Sequence, residues 1–165
     1  MILVTVGTQG PFDRLVRAVD AWAAAHPEQR LVAQIGATDF QPAAMESAAN
    51  LDPIRFERLL READCIVAHA GMGTILKALE LGKPVLIMPR RAALGEQRNE
   101  HQLATAERFA RLGVVQVAAD EHELPAKLDV LVQQGNVERI SNSASPELIG
   151  RLRGFLGEHL GPPQG

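Results

Sequence analysis

The sequence predicts an α/β domain, a Rossmann-like parallel sheet with helices on both faces. Short apolar runs alternate with segments of helical periodicity from the first residues to about residue 132. The runs are apolar throughout rather than alternating with polar residues, as expected of strands covered on both sides. Two of the strand-to-helix turns are also rich in glycine, and in an open parallel sheet ligands sit beyond the carboxyl ends of the strands.

Ile2–Val6 reads as the first strand. Pro11 opens a helix that carries Phe12, Leu15, Val16, Val19 and Trp22 at helical spacing. Leu31–Ile35 is a second strand, stopped by Gly36. Residues 37–53, with two prolines and many alanines, read as a loop with room for a short strand. A brief helix over Ile54–Glu62 leads into the strand Cys65–Ala68 and the helix Thr74–Leu81, which Gly82-Lys83-Pro84 terminates. Val85–Met88 is a wholly apolar strand closed by Pro89. Residues 90–98 form a polar loop, Asn99–Leu112 a helix ended by Gly113, Val114–Val117 a strand and Glu121–Val132 a last helix of the domain.

Domain organisation follows. Residues 1–132 form the ligand-binding domain. Residues 133–165 divide into a polar loop, Gln133–Ala144, and a helix capped by Ser145 with Pro146 at its first position. On that helix Leu148, Ile149, Leu152, Phe155, Leu156 and Leu160 form an apolar stripe, which can pack on the domain itself or on another chain.

Composition narrows the function. The 165 residues are 46% hydrophobic and 22% charged, within the range of ordinary globular domains. A net charge of −3 and only five Phe, one Trp and no Tyr argue against a nucleic-acid partner, which wants a basic face or stacking aromatics. One cysteine, Cys65, allows no intrachain disulfide and fits a reducing, cytoplasmic setting. No apolar run reaches the roughly 18 residues of a spanning helix, and Met1–Gly7 lacks the basic start of a signal peptide. Membrane association is therefore expected to be peripheral, through a partner.

Three segments carry candidate chemistry. Gly7-Thr8-Gln9-Gly10 follows the first strand. Gly71-Met72-Gly73-Thr74 joins a buried strand to a helix N-terminus, where free N–H groups and the helix dipole favour an anion. The alternative is that each turn is glycine-rich only for its geometry. The third segment, Pro89–Gln102, offers Arg90 and Arg91 to neutralise a diphosphate, Glu96 or Glu100 for sugar hydroxyls, and His101 and Gln102 at a helix start. The spacing fits neither the dinucleotide fingerprint nor the phosphate loop with its lysine. The five histidines do not cluster at metal-binding spacing, and there is no Asp-x-Asp to hold a metal–diphosphate complex, so no resident metal or cofactor is expected. His69 ends a buried strand and is open to two readings, a satisfied structural histidine or a catalytic one.

Ile66–Ile75, Gly82-Lys83-Pro84 and Glu96…Asn99-Glu100-His101-Gln102 together resemble the C-terminal, nucleotide-sugar-binding half of glycosyltransferase family 28. The likeness extends over roughly residues 1–130. It is strongest to the short, single-domain type: the UDP-GlcNAc transferase subunit of dolichol-linked oligosaccharide synthesis and bacterial exopolysaccharide glycosyltransferase subunits. The resemblance implies half of a GT-B glycosyltransferase, an inverting hexosyltransferase that uses a UDP-sugar as donor substrate without a tightly held metal. By it, Thr8 and Gln9 match a pair on the donor phosphate, Gly71, Gly73 and Thr74 the second phosphate turn, and His101 with Gln102 a pair on the donor sugar. Where two-domain members carry a ribose-binding glutamate this chain has Lys77, so the ribose role passes to Glu80 or Glu96. No base for the acceptor hydroxyl is evident beyond His69. The implied partner is a membrane-anchored subunit that binds a lipid-linked acceptor glycan. The alternative is a non-catalytic subunit that binds nucleotide-sugar or stabilises a partner. A sugar-nucleotide epimerase fits less well, because it needs both lobes in one chain.

Overall fold

The computed structural model describes residues 1–136 and Gly150. The expected helix and apolar stripe at residues 145–160 lie outside the described residues. Six parallel strands are ordered β3-β2-β1-β4-β5-β6: β1 (Ile2–Thr5), β2 (Leu31–Gln34), β3 (Glu46–Ala48), β4 (Cys65–His69), β5 (Val85–Met88) and β6 (Gln116–Val117). Five helices connect them: α1 (Asp13–Ala25), α2 (Pro53–Glu62), α3 (Met72–Glu80), α4 (His101–Leu112) and α5 (Leu124–Asn136). The α/β reading holds.

Alternate residues of the inner strands feed opposite cores, as the two-residue period of a strand requires. Ile2, Val4, Val67, Leu86 and Met88 pack with Leu15, Val16 and Val19 of α1 and Leu124, Leu128 and Leu131 of α5. Leu3, Ile66, Ala68 and Ile87 pack on the other face with Leu59, Leu60, Ile75, Leu79 and Phe109, from α2, α3 and α4. Burial on both faces explains why the strands read as unbroken apolar runs.

Several boundaries differ from the sequence expectation. The room for a strand in 37–53 is taken by β3, an edge strand whose side chains are exposed or half-buried, so it leaves no apolar run to read. Helix α3 starts two residues early, at Met72, with Gly71 as its cap. The last helix starts later, at Leu124, because Asp120 accepts from the His122 and Glu123 N–H groups and holds residues 120–123 in a turn. It also runs on to Asn136, across the expected loop boundary at 132/133; glutamines tolerate a helix, and polarity alone does not end one. The loop 90–98 contains a single 3-10 turn, Ala92–Leu94, closed by Gly95 with φ of 71°.

Candidate functional site

The chain leaves β1 for β2 and β3 on one side, then returns to place β4 and β5 on the other, so the order reverses between β1 and β4. Both glycine-rich turns leave the carboxyl ends of these two paired strands, where Thr5 lies beside Ala68. A cavity of about 650 Å³ opens there, within the range of small-molecule sites. Gly7, Thr8 and Gln9 line it from the first turn, His69 from the tip of β4, and Gly71, Met72, Gly73 and Thr74 from the start of α3. His101 and Gln102 line it from the first turn of α4. Folding thus brings ten of the sequence-predicted positions to one cavity.

The glycines divide by task. Gly7 has φ of 74°, which favours glycine, and a Cβ there would stand 2.6 Å from His69 Cε1. A Cβ on Gly71 would stand 2.1 Å from His69 Nε2. These two glycines make room for the imidazole between the turns, a need that neither the anion-binding reading nor the turn-geometry reading of the sequence included. Gly73 is different. A Cβ there meets nothing within 4 Å, so the protein's own packing does not require glycine at the second residue of α3. The first turns of α3 and α4 lie at the cavity; α3 has no side-chain cap, whereas at α4 the His101 N–H donates to Asn99 Oδ1 (3.3 Å). A helix start with uncapped N–H groups can hold an anion.

His69 is pushed down to about 4, first by burial and then by the nearby Arg90 charge, with the Thr5 backbone pulling weakly the other way. Its Nδ1 is buried and makes no hydrogen bond among the described residues. The ring is therefore neutral at neutral pH, and so able to accept a hydrogen bond, but it is a weak base.

Gln34 closes β2 and braces the cavity. Its amide donates to Gly7 O (3.3 Å) and accepts from the Leu51 N–H (3.3 Å). Gln102 is buried, and its Oε1 accepts from the Arg90 N–H (3.1 Å). Leu51, Pro53 and Phe56 add an apolar wall from the start of α2. Sequence reasoning missed these three, together with Thr5, Gln34, Gln97 and Thr105. Gln34 alone left a signal, a polar residue inside an apolar strand ending.

Two expected ligand residues do not reach the cavity. Arg90 is 1% exposed, and its guanidinium donates to the carbonyls of Val6 (2.9 Å), Gly10 (2.8 Å), Pro11 (2.6 Å) and Glu96 (3.3 Å). Both terminal nitrogens are committed to main-chain carbonyls and the group is shut from solvent, so it does not reach a diphosphate there. Glu96 is equally committed. It takes a bidentate pair from Arg14 (2.8 Å to each oxygen), and Oε2 also accepts from the Arg91 N–H (2.8 Å). Arg14 in turn bonds Glu121 (2.8 Å) and Pro89 O (3.1 Å). The Glu96 bond is the largest cause of Arg14's raised proton affinity, and the Arg14 bond holds Glu121 below the usual carboxylate range. Arg91 reaches away to Ala119 O (3.0 Å), and Glu100 accepts from the Ala93 N–H (3.3 Å). Lys77 pairs with Glu57 (3.5 Å), and Glu80 does not line the cavity. Among the described residues the lining carries no Asp, Glu, Lys or Arg, and no three potential metal ligands gather anywhere. No described helix is long and apolar enough to cross a membrane.

Comparison with known proteins follows the same lines. Residues 1–150 match the glycosyltransferase family 28 C-terminal domain. The chain is 32% identical over 122 residues to the UDP-N-acetylglucosamine transferase subunit ALG13 of Homo sapiens, across 68% of this chain and 10% of that protein. It thus spans about a tenth of the length of that relative. Among solved structures, the NMR structure of ALG13 superposes with a TM-score of 0.61 at 19% identity, covering 92% of each chain. The glycosyltransferase SnogD from Streptomyces nogalater superposes at 0.58 and 20% identity, covering 98% of this chain and 40% of that one. At those identities the structures speak for the fold, that of half a GT-B glycosyltransferase.

Proposed function

The chain belongs to the glycosyltransferase family 28 C-terminal domain family, and from that premise we propose that it is the donor-binding subunit of a hexosyltransferase. The donor is a UDP-sugar, bound with its diphosphate over the start of α3 and the turn after β1. Its sugar lies toward His101 and Gln102, and its base toward the apolar wall of Leu51, Pro53 and Phe56. With no acid on the described lining, ribose and sugar hydroxyls fall to Thr and Gln side chains. The observation that carries this reading is Gly73, a helix glycine with no partner of its own to avoid, beside an uncapped helix start.

In an inverting transfer the acceptor hydroxyl loses its proton as the C1–O bond to the diphosphate breaks, and the departing charge needs stabilisation. The cavity offers backbone N–H groups for the departing charge. His69, held near 4, is a poor base for a sugar hydroxyl, so deprotonation is assigned to a second subunit. That subunit is membrane-anchored and presents a lipid-linked acceptor glycan at the cytoplasmic face of the membrane. Transfer needs no resident metal in this reading.

Calorimetry of UDP binding tests it. The unsubstituted chain should bind UDP with or without a chelator. Gly73→Asp should abolish binding while leaving the fold intact, since its Cβ enters open space and its carboxylate repels phosphate. UDP binding that survives Gly73→Asp, or that requires a divalent cation, overturns the assignment.

A further inference from the structure

Arg90 is among the largest side chains wholly shut from solvent. It stands just past β5, and its guanidinium crosses the end of β4 to reach the turn after β1. Nη1 and Nη2 serve four carbonyls, while the buried Nε makes no hydrogen bond. Phe12 lies against the guanidinium, 4.8 Å from ring centre to Cζ. Among the described residues Arg90 has no carboxylate hydrogen-bonded to it; Glu96, whose charge acts on it, is engaged by Arg14.

Tying carbonyls together does not require a charge, since a neutral amide donates as well. Burying a guanidinium without a direct ion pair is costly in lost hydration. What the charge adds is felt at the cavity, because the guanidinium holds the carbonyls of Val6 and Gly10 on either side of the lining residues Gly7, Thr8 and Gln9, and it also contributes to the lowered proton affinity of His69. The described lining holds no Lys or Arg, so an anion there would otherwise meet only polar side chains and backbone dipoles.

We propose that Arg90 is a positioning residue that also selects the charge of the ligand. Its clamp sets the turn after β1 against the 90–98 segment, and its buried cation favours a diphosphate-bearing ligand over a neutral one without touching it. The proposal rests on the nucleotide-sugar reading of the cavity.

Amide chemical-shift titration of the full chain with UDP and with uridine separates charge from scaffold. Arg90→Gln should weaken UDP by roughly tenfold or more, leave uridine within about threefold, and be rescued for UDP by Arg90→Lys, which keeps the charge. A purely structural residue would lower both ligands together, and that result overturns the proposal. Should Arg90→Gln fail to fold, the unsubstituted protein decides. Its buried Arg90 Nε–H resonance should move on addition of UDP and stay put with uridine; a resonance that ignores UDP, or follows uridine equally, overturns the proposal. If the unsubstituted chain binds neither ligand, the cavity reading falls and this proposal with it. If it binds UDP while these signatures fail, only this proposal falls.

Discussion

Replacing Gly71 by alanine tests the idea that two turns are glycine-rich because a histidine lies between them. Gly71 has φ of −92° and ψ of 124°, an extended conformation that alanine adopts freely, so the backbone resists nothing. The whole cost comes from a methyl group placed 2.1 Å from His69 Nε2 and 2.7 Å from Cε1. The ring lies between the two turns, since a Cβ on Gly7 would also stand close to it, 2.6 Å from Cε1. Overpacking of this kind costs about 1–3 kcal/mol, which for a domain of this size lowers Tm by several degrees. Urea unfolding followed by the fluorescence of Trp22, the sole tryptophan, measures it. In a His69→Ala background the same substitution should cost about 0.5 kcal/mol or less, because the clashing ring is gone. A Gly71→Ala penalty that persists undiminished without the imidazole, or that never appears with it, refutes the reasoning.

Two further outcomes follow from the same geometry. His69 is held near 4 in the folded chain against 6.5 when free, so between these values the unfolded chain binds more protons. Stability should therefore rise as pH goes from about 4 to 6.5 and lose up to about 3 kcal/mol on the way back down. Across that range the stability of the unsubstituted chain relative to His69→Gln, measured by urea unfolding, should rise with pH by up to about 3 kcal/mol; parallel curves would show that His69 does not titrate this way. Glu96→Gln removes the carboxylate that holds Arg14 by two bonds, with both side chains little exposed (12% and 13%). It should cost about 2 kcal/mol or more and speed amide exchange in residues 90–98, and unchanged exchange there would mean that the pair does not hold the loop.

The layered fold was legible because burial on both faces writes itself into sequence as unbroken apolar runs, as in Ile2–Thr5 and Val85–Met88. The edge strand β3 was not, since exposed side chains leave composition free to vary. Likewise the two glycine turns and the His101-Gln102 pair were found from sequence, because strand ends in a parallel sheet all face one way. Arg90 and Glu96 were misplaced. From sequence, charged groups past a strand end look free to meet a ligand, whereas Arg90 and Glu96 bond the protein itself.

By itself, then, the sequence determined where the buried strands and the helices run, to within a few residues, and which turns stand at strand ends, since both follow from local periodicity and backbone freedom. Only the tertiary structure decided that Gly7 and Gly71 clear space for His69, that α2 supplies an apolar wall, and that the charged groups of the 90–98 segment turn away from the cavity. Those choices depend on where distant carbonyls and carboxylates lie in space. A buried guanidinium must satisfy its donors wherever acceptors are found, and for Arg90 the acceptors of the β1 turn lie about 80 residues away in the chain.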